Sequence, residues 1–237
     1  MLEVLFTPFA QDPAYHWFAD NRTLLGIPNF WNVASNLPLM IVGGLGLVFL
    51  ARQRPGMAPL RYQWAVFFLG VLATSLSSAY YHLAPENATL ALDRLTMTVG
   101  FMGLLGLVIG EYVSISWANR LLVPLLVLGA ASVFYWLHTE ARGHGDLRPY
   151  AIIQFLPMLL IPLLMWLRSG HSHLTRYLGA LIAFYIAAKV CEHYDARLFA
   201  AGELISGHTL KHVLAAFAAA TMLWGLHRSP HKPAPGA

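Results

Sequence analysis

Two histidines, His208 and His212, stand four residues apart in Gly207-His208-Thr209-Leu210-Lys211-His212, near the start of the last long apolar stretch of the chain. On a helix that spacing stacks both imidazoles on one face, one turn apart. Ionisable groups in an apolar segment are costly to keep and mark chemistry by default. A third histidine, His82, closes the run Ser78-Ala79-Tyr80-Tyr81-His82, in which Ser78 lies one turn earlier on the same face. Eleven residues further on, Asp93 stands in Leu92-Asp93-Arg94-Leu95. Three imidazoles with a fourth position open form the donor set of a catalytic zinc ion, whose bound water has its pKa lowered to about 7. His82, His208 and His212 are therefore the candidate metal ligands. Asp93 is the candidate to hydrogen-bond that water and take its proton, and Ser78 to steady an oxyanion or orient the substrate.

The elements that must carry these groups are membrane helices. Of the 237 residues, 57% are hydrophobic and only 11% charged, against about 25% charged in a soluble domain. The expected fold is all-α, a polytopic membrane protein with a seven-transmembrane-helix bundle. Its apolar segments fall at about residues 31–51, 61–83, 92–112, 117–137, 149–168, 175–193 and 205–226, each near the roughly 17–25 residues that cross a bilayer. Residues 1–30, with Pro8, Pro13, Pro28 and the run Tyr15-His16-Trp17-Phe18, read as a structured interfacial segment. Residues 31–226 form the bundle, and residues 227–237 a polar, Pro-rich, disordered cytoplasmic tail. The start lacks the pattern of a cleaved signal, so the first membrane helix is expected to target the chain. The net charge of +4, spread over loops, argues against a nucleic-acid partner. Cys191 stands alone, which excludes an internal disulfide.

Basic residues set the expected orientation. Arg52, Arg54, Arg61, Arg120, Arg168, Arg176, Arg228 and Lys232 flank one side of the spans, while Glu3, Asp12, Asp20, Glu86, Glu140, Asp146, Asp195 and Glu203 gather on the other. The N-terminus is expected outside and the C-terminus in the cytoplasm. That topology brings His82, Asp93, His208 and His212 from three helices to one depth near the non-cytoplasmic face. Singly, each has a structural explanation: a satisfied interfacial histidine, a helix-capping aspartate, a serine bonded to the preceding turn. Their common depth argues for one site.

Ser-x3-His on the second helix, Asp eleven residues later on the third and His-x3-His on the seventh resemble the alkaline ceramidase family. It belongs to a wider seven-helix membrane hydrolase superfamily that includes adiponectin-receptor-like proteins. The stretch Asn29-Phe30-Trp31-Asn32-Val33-Ala34-Ser35-Asn36 is similar to that family's start of helix 1. The resemblance, strongest to bacterial phytoceramidase-like members, implies zinc on His82, His208 and His212, with Asp93 and Ser78 beside the metal-bound water. It implies hydrolysis of ceramide or phytoceramide to a sphingoid base and a fatty acid, with a membrane lipid as substrate. Short loops suggest a bacterial inner membrane, the active site facing the non-cytoplasmic side. Family members with a calcium site carry carboxylates where this chain has Ala19 and Asn29. Calcium needs six to eight oxygens with charge among them, so its regulation is expected to be lost or weak.

Lys189 and Glu192, one turn apart, read as an ion pair fixing the sixth helix, with Asp195 following, and Lys211 as facing away from the histidines beside it. Other classes fit parts of the pattern: a receptor with a structural zinc, a hydrolase of a different lipid amide or ester, a proton or ion transporter using Asp93, Lys189 and Glu192, and non-covalent haem between His82 and a helix 7 histidine.

Overall fold

The computed structural model describes residues 7–53, 60–168 and 172–229. The described chain is helical: α1 (Phe30–Ala34), α2 (Leu37–Arg52), α3 (Arg61–Leu83), α4 (Asn87–Tyr112), α5 (Ile115–Ala141), α6 (Arg148–Leu167), α7 (Thr175–His193), α8 (Asp195–Ala200) and α9 (Gly207–His227). Six stretches are long and apolar enough to cross a membrane: Phe30–Arg52, which joins α1 to α2, and α3, α4, α5, α6 and α9. Helix α7 spans the expected residues but falls short of that standard, because it carries Arg176, Lys189 and Glu192. The expected disordered tail lies, from residue 230 on, outside the described residues.

Helix α4 begins five residues before the expected start, so Asp93 stands in its second turn rather than at its beginning. The boundary is set by Pro85, which disfavours helical backbone at Ala84, and by Thr89. The Thr89 hydroxyl accepts from the Glu86 N–H at 3.3 Å and donates to the Ala84 carbonyl at 2.6 Å. Aspartate as a helix cap is thereby excluded for Asp93.

Helices α3 and α4 share the most extensive interface of the bundle, followed by α7 with α9 and α4 with α5; α6 and α7 touch only sparsely. The α3–α4 contact depends on glycine. A Cβ at Gly70 would lie 2.2 Å from the Gly100 nitrogen, and one at Gly103 2.6 Å from the Phe67 nitrogen. Backbones that close admit no side chain, and the approach sets Ser77 of α3 beside Asp93 of α4.

Residues 9–22 cross the end of the bundle where α3 finishes and α9 begins. A 3-10 turn, Pro13–His16, is capped by Asp12, whose side chain accepts from the Ala14 N–H at 2.9 Å. His16 is hydrogen-bonded through Nδ1 to the Tyr81 hydroxyl and through Nε2 to Asn87 Oδ1, both at 3.0 Å. Arg22 grips both Asp20 carboxylate oxygens, at 2.8 and 2.7 Å, and donates to the Glu203 and Leu204 carbonyls at 2.9 Å each. The segment is thus a strap tied to the loop before α9. Trp17 is 79% exposed on its outer side, as suits an aromatic at a membrane–water boundary.

Two expectations follow. Gly70→Val should force α3 and α4 apart and lower unfolding stability by about 1–3 kcal/mol or more, read as a fall in melting temperature in detergent. The Arg22 guanidinium holds the Asp20 carboxyl below its ordinary value. Its contribution to the strap is therefore complete above pH of about 4 and is lost as pH falls through the lower folded-state value. Hydrogen exchange at Ala19 to Arg22 should accelerate below that pH, and Asp20→Asn should show the fast exchange at every pH.

Candidate metal centre

His82 ends α3, while His208 and His212 occupy the first two turns of α9. All three are buried, at 1%, 5% and 5% exposure. One ring nitrogen from each lies within 4.8 Å of the others. The closest pair, His82 Nε2 and His212 Nε2, is 3.4 Å apart. That separation is the edge of a tetrahedron whose metal–nitrogen bonds are about 2.0–2.1 Å. The three residues expected to converge do so, and the group could hold a metal ion.

The supports of this triad come from four elements. His212 is hydrogen-bonded through Nδ1 to Ser35 Oγ at 2.8 Å, and Ser35 donates to the Asn32 carbonyl at 3.2 Å. With Nε2 given to a metal, Nδ1 keeps the proton and Ser35 accepts it, which fixes the tautomer. Asn32, fully buried, accepts from the Thr209 hydroxyl at 2.9 Å and donates to the Asp20 carbonyl at 3.1 Å. The His208 N–H donates to Asp195 Oδ1 at 2.7 Å, while Asp195 Oδ2 accepts from the Ala19 N–H at 3.1 Å. Asn29, in the left-handed region at φ 48°, donates from Nδ2 to the His82 carbonyl at 2.8 Å. The Phe18 ring closes the outer side, its centroid 4.6 Å from that of His82 and 4.9 Å from that of His208. His82 Nδ1 is buried without a partner.

A cavity of about 390 Å³ runs inward from the triad, lined by Ser78, Asp93, Lys211 and His212 at this end and by Phe67, Leu104, Met158 and Leu181 further in. Both candidate catalytic residues thus face the same space as His212. The hydroxyl bonded to Asp93 is that of Ser77, which donates to Oδ1 at 3.3 Å and is hydrogen-bonded to Thr96 Oγ1 at 2.6 Å. Ser78 is buried in the wall of the cavity.

Lys211 does not turn away from the histidines. Its ammonium lies 2.9 Å from His208 Nε2 and 3.0 Å from Glu192 Oε1. Glu192 also pairs with Lys189, and the Tyr15 hydroxyl donates to it at 3.3 Å. The expected ion pair of α7 is therefore a wall of the cavity, extended by a second lysine from α9. Ser35 and Ser77, overlooked in the sequence, make hydrogen bonds that spacing cannot foretell, and Asp195, noted there as following the ion pair of α7, reaches the site through the His208 N–H. Polar Ser35-Asn36 at the head of an apolar run was the available signal.

No protein-family model matches this chain, and a search of curated proteins finds no match. The site rests on its own geometry.

If Ser35 holds His212 as described, Ser35→Ala should weaken divalent-metal binding roughly 10–100-fold with little change in melting temperature. Competition against a chromophoric chelator measures it, and His212→Ala should bind no metal at this site.

Proposed function

We propose that this chain is a zinc-dependent intramembrane hydrolase of lipid amides, cleaving ceramide- or phytoceramide-like lipids to a sphingoid base and a fatty acid. The observation that carries the reading is the buried His82–His208–His212 group, whose His212 lines, with Asp93, a cavity walled mostly by apolar side chains. The resemblance to alkaline ceramidases supports it on the same residues. In this reading α7 is also a span, the sixth of seven, its Lys189 and Glu192 turned onto each other and into the cavity rather than toward lipid, as charged groups in a membrane require. The N-terminus lies outside, the C-terminus in the cytoplasm and the site near the outer face, in a bacterial inner membrane.

A bound zinc ion supplies Lewis-acid activation of water at neutral pH. The chain's residues supply the rest. Phe67, Leu104, Met158 and Leu181 accept the hydrocarbon tails, which reach the cavity where α6 and α7 pack least closely. Asp93, steadied by Ser77, takes a proton from the attacking water and returns it to the amine nitrogen as the carbon–nitrogen bond breaks. Ser78 donates to the oxygen that gains charge at the amide carbon. Phe18 and the strap shield the outer side from bulk water.

Lipid mass spectrometry after incubating pure protein with a mixed lipid extract tests this directly. A sphingoid base and a fatty acid should appear together, and Asp93→Asn should slow their release by about 10²–10⁴-fold with zinc content unchanged. Full turnover by metal-free protein would sink the reading.

A further inference from the structure

Arg94 is 7% exposed, lines the cavity next to Asp93, and has no carboxylate within ion-pairing distance among the described residues. Its Nη2 donates to the neutral Gln11 Oε1 at 2.6 Å, while Nη1 is buried without any partner. Three rings box it: the guanidinium carbon lies 4.3 Å from the centroid of Trp136, 4.9 Å from Tyr150 and 5.8 Å from Tyr15. Aromatic faces favour a cation, but they do not satisfy a buried N–H, and a buried charge without an ion-pair partner is costly. The other cations of this wall each have an ion-pair partner, since Lys189 and Lys211 share Glu192. A planar guanidinium with an unpartnered N–H suits planar or tetrahedral oxyanions.

We propose that Arg94 is a second binding subsite of the cavity, which takes the oxyanion of an amphiphile, a lipid carboxylate or phosphate monoester, with its tail along the apolar lining. The subsite does not require the metal. Joined to the hydrolase reading, on which this step alone rests, it directs the enzyme to those ceramide-like acyl amides that carry a carboxylate or phosphate.

Equilibrium binding to the purified protein in neutral detergent decides it, with oleate, oleyl phosphate and oleyl alcohol as probes sharing one tail and inorganic phosphate as the tail-less control. The anionic lipids should bind roughly tenfold or more tightly than the alcohol, as a charge-assisted hydrogen bond requires. Oleate ahead of oleyl phosphate identifies a carboxylate as the natural group, and the reverse order a phosphorylated one. Arg94→Gln should abolish the preference while leaving the affinity for oleyl alcohol and the metal content unchanged, and Arg94→Lys should restore part of it. The preference should persist in protein stripped of metal, a comparison that needs no variant. Equal binding of alcohol and anions overturns the proposal, as does a preference that survives Arg94→Gln or vanishes with the metal. Inorganic phosphate binding as tightly as the oleyl anions also overturns it. Absence of amide turnover leaves these binding outcomes intact and counts against the hydrolase reading alone.

Discussion

Burying three imidazoles at one point inside an apolar bundle is the constraint on which the rest of this structure depends. Each ring and its backbone bring polar atoms that neither lipid nor leucine can satisfy. The chain answers with short, irregular pieces at the outer end of the long helices. Ser35 and Asn32 come from α1 and the turn after it, Asp195 from α8, Asn29 from a left-handed turn, and Phe18 from the strap. None of these pieces adds a membrane crossing. They are accounted for by what they donate to, accept from or cover.

The long helices divide the labour differently. The near-contact of backbones at Gly70 and Gly103 fixes α3 against α4, and Thr89 fixes where α4 starts. On a helix each residue is rotated about 100° from the last, so a register shifted by one position would put Arg94 where Asp93 points and turn Asp93 away. A carboxylate on the triad's side of the cavity and a guanidinium in an aromatic box are thus consequences of one hydroxyl and one proline. Helices α7 and α9 contribute the charged wall, where a single glutamate serves two lysines.

Much of this was legible in the sequence, and the reasons differ by feature. The metal ligands could be read because helical spacing fixes side-chain direction, and because the alternation of spans returns the end of α3 and the start of α9 to one surface. Helix α7 was legible in extent, whereas its fitness as a span was not, since Lys189 and Glu192 are admissible only if they face inward. Lys211 was misjudged by the rule that an intervening residue points elsewhere: its long stem curls back until the ammonium meets His208. Ser77 and Ser78 differ by one position, and spacing favoured Ser78 because it shares a face with His82. Contact with Asp93 is a property of the α3–α4 crossing, which sequence patterns do not encode. Arg94 was visible as a charge inside an apolar segment, but its lack of an acidic partner appears only in three dimensions.

The strap comes early in the chain, yet its docking partners come last. Phe18 rests on His208, Ala19 bonds to Asp195, and Arg22 closes on the carbonyls of Glu203 and Leu204. Ser35 likewise waits for His212, which lies 177 residues away. During synthesis, then, the helices before α9 are made while the triad holds only one of its imidazoles and the strap lacks its bonds to Asp195, Glu203 and Leu204. The last helix delivers two ligands and the clasp in the same event. Until it arrives the three imidazoles cannot gather in this geometry, which makes the arrival of α9 the step that assembles the site.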